Sequence, residues 1–209
     1  MTPRRKSGVP RIAKIALSLF LLGCATASPR VAYYLLSPDV EPASAATAAE
    51  TRPPLKVALR PLVLPDLIDR PQIVVRSSEA TVEVSEFHRW GGSLKREIAR
   101  VLAENLNLLL HDHPAVVATD DLALGPDLVL AVQILRFDGR PGGEVTLNTL
   151  WTLARPQAAG ERLVQDSRIR VLCEAPGYEG LVLAHSRALG LLSREIAAGV
   201  RRLGQRSAP

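Results

Sequence analysis

The sequence predicts an α+β fold, a single domain in which a mostly antiparallel sheet carries two main helices packed on one face. Three observations lead there. Two stretches, near 94–110 and 178–203, repeat apolar residues at helical spacing. Several others alternate at the two-residue period of a half-buried strand. Along the chain, strands come first, then a helix, then three long strands and a closing helix, which is not the regular strand–helix alternation of a parallel sheet. Some 186 residues follow the first 23, enough for one domain with a substantial core.

The elements follow in order. Val31 to Leu36, with Tyr33 and Tyr34 at its centre, reads as a first strand. Residues 37–54 hold Pro38, Pro42, Pro53 and Pro54 among many alanines, the composition of an exposed loop without regular structure. Lys56 to Leu64 is a strand ended by Pro65-Asp66, and Ile73 to Arg76 and Ala80 to Ser85 are two shorter ones. Ser93 is placed to cap a helix running to about Leu110, with Leu94, Ile98, Val101, Leu102 and Leu109 on one face and Lys95, Arg96, Arg100 and Glu104 mostly outside it. Pro114 stops that helix, and a short strand, Ala115 to Ala118, follows. Asp127 to Phe137 is apolar on both faces, as a central strand must be. Gly139 to Gly143 is turn chemistry, and Glu144 to Leu153 then alternates cleanly, with Val145, Leu147, Trp151 and Leu153 on one side. A turn at Gln157 to Gly160 leads into Arg162 to Cys173, where Cys173 reads as a small hydrophobe on the inward face. The closing helix spans about Tyr178 to Leu203, striped by Val182, Leu189, Leu192, Ile196, Val200 and Leu203, with Arg187, Arg194 and Arg201 off the stripe.

The N-terminus sets the compartment. Arg4, Arg5, Lys6, Arg11 and Lys14 precede an apolar run from Ile15 to Leu22, which is too short to span a bilayer. A basic stretch, a brief apolar run and then small residues is the layout of a secretory signal. Leu21-Leu22-Gly23-Cys24 resembles the lipobox of bacterial lipoproteins, in which the chain is cut between Gly23 and Cys24 and the thiol is acylated. The expected organisation is therefore a signal peptide at 1–23, a lipidated N-terminus and short spacer at 24–30, and a domain at 31–206 that includes the loop 37–54. With the first strand beginning at Val31, that domain sits close to the membrane. Two or three acyl chains make the attachment permanent, since each buried methylene adds about 0.8 kcal/mol.

Composition excludes several functions. The chain carries 26 Lys and Arg against 21 Asp and Glu, a formal +5, but residues 1–23 hold five of those bases and no acid. The remaining 21 bases balance 21 acids, so bulk charge gives no reason to expect nucleic acid as a partner. The two cysteines make no disulfide framework once Cys24 carries lipid. No nucleophile elbow, phosphate loop, H-E-x-x-H helix or CxxC pair occurs, and no cofactor or metal is expected. His111-Asp112-His113 is the nearest to a metal cluster, but it sits where a helix ends against Pro114 and reads as a solvated helix end. His88, in a loop before Trp90, and His185, at the border of the last apolar stripe, read as structural histidines, and Ser93 as a cap rather than a nucleophile. The protein is expected not to be an enzyme.

Four blocks in series carry a resemblance: Tyr33-Tyr34-Leu35-Leu36; Leu64 to Arg76, reading LPDLIDRPQIVVR; Arg89-Trp90-Gly91-Gly92-Ser93-Leu94 with the helix that follows; and Phe137-Asp138-Gly139-Arg140 with Glu144 to Trp151. Together they resemble the ABC-type transport auxiliary lipoproteins, the PqiC-like family, over essentially the whole mature chain. Gly91-Gly92 departs from the acidic or small pair usual after the Trp, and the loop after Leu36 is long. The resemblance implies a non-catalytic, periplasm-facing lipoprotein working beside an ABC permease, its ATPase and an MCE-domain protein that carries lipids between membranes. It would bind or anchor the MCE component at the membrane that holds Cys24, alone or as a homo-oligomer. Ala25, where Asp would favour retention on the inner membrane, favours the outer one. Arg70, Arg76, Arg89 and Trp90 are the candidate partner surface, because Trp and Arg commonly anchor interfaces. The competing assignment makes Trp90 a plug in the core and Asp69-Arg70-Pro71 a plain turn. Three other functions stay open at this point: a lipid- or solute-binding lipoprotein, an envelope-assembly lipoprotein, and a hydrolase with an unrecognised site.

Overall fold

Strands form where the branched and aromatic residues alternate, and the computed structural model places eight of them among residues 30–42, 54–111, 115–119, 125–158 and 160–205, which are the residues it describes. They are β1 (Ala32–Tyr34), β2 (Leu55–Leu59), β3 (Gln72–Arg76), β4 (Val82–Trp90), β5 (Ala115–Thr119), β6 (Leu128–Gly139), β7 (Glu144–Ala154) and β8 (Arg162–Leu172), with helices α1 (Leu94–Leu109) and α2 (Gly177–Gln205). The expected signal peptide, Cys24 and most of the Pro/Ala-rich loop lie outside the described residues.

The fold is α+β, and its sheet is mixed rather than mostly antiparallel. The meander β6–β7–β8 and the pair β3–β4 are antiparallel, while β1–β4, β2–β5, β2–β6 and β3–β6 run parallel. Parallel neighbours require a crossover. Between β2 and β5 the chain passes through β3, β4 and α1, so β5 returns beside β2 in the same direction. Strand order is β1-β4-β3-β6-β2-β5, and β7 and β8 continue from the other edge of β6. The outer edge of β5 is covered by α1: the Asn107 amide donates to the Val117 carbonyl at 3.1 Å and its oxygen accepts the Val117 N–H at 2.9 Å.

β6 is central, as its two-faced apolar sequence requires. Leu128, Leu130, Val132 and Ile134 point to the helices, and a bulge at Leu135 then switches the alternation. Because of that extra residue Phe137, and not Arg136, faces inward, and Asp138 falls on the opposite face. Against this layer lie Val145, Leu147, Trp151 and Leu153 of β7, Ile169 and Val171 of β8, and the stripe of α2 from Leu181 to Leu203. α1 packs beside α2 and against β5. Ser93 occupies the cap position of α1 with extended backbone, but only its carbonyl is used, accepting the Glu97 N–H at 3.0 Å.

Three segments differ from the sequence reading. β2 ends at Leu59, short of the expected Leu64, and beyond it only Val63 bridges β6. β4 is longer than Ala80 to Ser85 and carries His88 and Trp90 in the strand, because β1 pairs with its far end, Tyr34 opposite Trp90. Residues after Leu36 were expected to be an exposed loop, yet the described part is a strap clamped to both helices. Leu36 is buried and its carbonyl accepts Arg100 Nη2 at 2.7 Å. The Ser37 N–H donates to Ser186 Oγ at 3.1 Å, and the Asp39 N–H to Asn105 Oδ1 at 3.2 Å. Gly190 of α2 makes this approach feasible: a Cβ there would lie 2.4 Å from the Asp39 carbonyl oxygen.

Gly190→Leu should therefore lift the strap although it improves helix propensity, lowering unfolding free energy by about 1–3 kcal/mol as overpacking does. Hydrogen exchange at the Ser37 and Asp39 amides would rise in the same variant, and unchanged exchange there would refute the clamp.

Candidate functional site

The four residues expected to form a partner surface separate into two places at opposite ends of β3. At its start, Pro65 opens a turn in which the Ile68 and Asp69 N–H groups donate to the Pro65 carbonyl, at 3.1 and 3.2 Å. Leu64 and Ile68 are buried and pin the turn to the core. Pro71 accepts the Trp90 N–H at 2.7 Å, so Asp69-Arg70-Pro71 faces Trp90 to Leu94 across a cleft of about 390 Å³ at the N-terminus of α1. Arg89 stands opposite Gln72, and Nε of both Arg70 and Arg89 is buried without a hydrogen-bond partner. Trp90 is 5 % exposed and packs edge-on against His185, ring centroids 5.7 Å apart. It is a core plug whose remaining edge lines the cleft.

At the other end of β3, Arg76 lines a second cleft of about 460 Å³ with Ser77, Ser78, Arg136 and Arg140 and with two acids, Glu79 and Glu144. Arg76 grips Asp138 with Nε at 3.0 Å and Nη2 at 2.9 Å, and gives Nη1 to the Glu79 carbonyl. Arg136 Nε reaches the same carboxylate at 2.9 Å. Burial pushes the Asp138 carboxyl up, but the hydrogen bonds and charges of the two arginines outweigh it and hold it below the ordinary carboxylate value. Arg140 stays exposed at the rim of the cleft.

Sequence reasoning understated two histidines. His185 is fully buried between Phe137 and Trp90, and its Nδ1–H donates to the Leu181 carbonyl at 2.8 Å. Desolvation lowers its pKa to about 4. Its place was readable, since 185 falls on the stripe of Val182, Leu189 and Leu192 at helical spacing. His88 stacks on Tyr178, with centroids 3.6 Å apart, and hydrogen-bonds the Tyr34 hydroxyl through Nδ1 at 2.8 Å, tying β1, β4 and α2 together. His111 is exposed at the end of α1, and Asp112 and His113 lie outside the described residues. Cys173 follows β8, partly buried, with its thiol directed at the Arg140 carbonyl at 3.6 Å and its pKa raised by burial. Trp151 donates from Nε1 to Ser167 Oγ at 2.9 Å, and that hydroxyl in turn meets Glu195.

Arg76 and Arg136 are thus held on Asp138 in one open cleft, and Arg70 borders the other. A family model described as the ABC-type transport auxiliary lipoprotein component matches residues 34–197, and the chain belongs to that family. Its fold is shared with a crystal structure of an uncharacterised protein at 20 % identity, TM-score 0.67, covering 82 % of this chain and 99 % of that one. A Xanthomonas campestris protein matches likewise at 15 % identity, TM-score 0.64, over 84 % and 98 % of the two chains. No curated protein sequence matches it.

Two outcomes follow from the buried charges. His185 has a folded pKa below its unfolded value of 6.5, so protons favour the unfolded chain as pH falls. Stability should be complete above about pH 6.5 and decline towards pH 4, by on the order of 3 kcal/mol from this group. His185→Phe should flatten that part of a plot of melting temperature against pH. Asp138→Ala strips both arginines of a hydrogen-bonded charge and should cost on the order of 2 kcal/mol in chemical denaturation, discounted for the partial exposure of Arg76 and Arg136.

Proposed function

We propose that this lipoprotein is the membrane-anchored accessory of an ABC/MCE-type lipid transport system, binding the periplasmic MCE component at the membrane that holds Cys24. Membership of the auxiliary-lipoprotein family across residues 34–197 carries this reading. The lipobox at Leu21 to Cys24 and the four blocks quoted above support the finer assignment, and Ala25 supports the outer membrane. On this reading the protein performs no catalysis and contributes position and grip.

Cys24 is seven residues from Val31, a span of at most about 25 Å for an extended chain. Of the four candidate contact residues, Arg76 lies at the end of β3 farthest from β1, and Arg70, Arg89 and Trp90 at the near end. A partner spanning the periplasm would meet the Arg76 cleft, where Arg140 offers an unburied guanidinium for a carboxylate. Both clefts are open, which favours docking over an enclosed lipid cargo site.

Crosslinking the tagged, lipidated protein in native membranes and identifying what co-purifies tests this assignment. The expected result is enrichment of an MCE-domain protein with its permease, reduced by Arg140→Glu and unaffected by Arg194→Glu on the exposed side of α2. Cys24→Ser should abolish palmitate incorporation. Recovery with outer-membrane assembly machinery, or alone with tightly bound lipid, would overturn the transport role.

A further inference from the structure

One face of β1 is exposed among the described residues. Val31, Tyr33 and Leu35 alternate outward from it and are 39 %, 67 % and 63 % exposed, while Ala32 and Tyr34 turn towards the domain. The parallel register sets Tyr33 beside Arg89, and Phe87, two residues before Arg89 in β4, is itself 39 % exposed. β1 is also the terminal strand of its side of the sheet. The strip has an aromatic at its centre, with the half-buried Arg89 beside it in the register.

We propose that this face is the surface that the domain lays against the bilayer of its own anchor. The inference rests on Cys24 carrying lipid. Seven residues separate Cys24 from Val31, a span of at most about 25 Å, so along the chain the strip is the part of the domain tethered nearest to the acylated residue. Its composition fits the level of the headgroups: a tyrosine whose ring is apolar and whose hydroxyl is wet, with aliphatic neighbours for shallow burial. A second copy is the weaker occupant, because four side chains supply far less than the roughly 800 Å² per partner of a stable interface. A weak patch suffices when acyl chains already hold the protein at the surface, and its effect is then to fix orientation.

The test uses the mature lipidated protein in vesicles of phosphatidylethanolamine and phosphatidylglycerol, with and without brominated acyl chains. An environment-sensitive fluorophore is attached at Tyr33→Cys, Leu35→Cys or, as the control, Leu183→Cys on the exposed side of α2, each combined with Cys173→Ala. Only labelled chains that melt like the parent are compared. The expected result is blue-shifted emission quenched by bromine at positions 33 and 35, and water-like, unquenched emission at 183. Vesicles that carry the protein in flotation while 33 and 35 stay water-like would overturn the docking face and leave the anchor standing. Failure to float would overturn both. A blue shift without quenching that grows with protein density would assign the face to a second copy and would also overturn the proposal.

Discussion

The structure depends on β6 having both backbone edges paired along most of its length. One edge is taken by β7, from Val129 to Gly139. The other is shared: β2 pairs with its beginning, Val63 bridges Gln133 in the middle, and β3 meets its end at Gly139. Buried N–H and C=O groups without partners would each be costly, so this division is what allows two strand groups of different direction to join one meander. A Cβ at Gly139 would lie 2.6 Å from the Glu144 carbonyl oxygen, so the tight hairpin that starts β7 in register has no room for a side chain there.

Above that sheet, α2 is packed through small residues as much as large ones. Gly199 admits the Trp151 ring, and Ala184, Ala188 and Ala197 keep the helix low on the sheet while Leu189, Leu192, Ile196 and Val200 fill the layer. Polar groups in the interior are few and most are engaged. Trp151, Ser167 and Glu195 form one chain, and Asp138 holds two arginines. The arginine cleft and the core are therefore connected through a single strand, with Phe137 packed against His185 and Asp138 on the reverse face.

Much of this was legible because it is local. The stripes of α1 and α2, the alternation of β7 and the two-faced apolarity of β6 are properties of contiguous residues, and all describe the elements observed. The lipoprotein family was legible for a different reason, since four blocks recur in order. Strand direction was not legible, because it depends on which distant segment supplies the partner. The Arg76–Asp138 pair joins residues 62 apart, and the strap joins Ser37 to Ser186 across 149. Nor does composition distinguish a proline-rich loop in solvent from one held by Arg100, Asn105 and Ser186. Trp90 shows the same limit: a Trp beside an Arg reads equally as an interface anchor or a core plug, and only the position of His185 in space decides.

The strap has a mechanical consequence. A pull on residue 30 acts first on the β1–β4 ladder, then on the bonds from Leu36, Ser37 and Asp39 to α1 and α2. Load entering at the N-terminus is thus divided between the sheet and both helices. A domain wired in this way transmits tension as a rigid body, where one tethered by a free tail would first unravel.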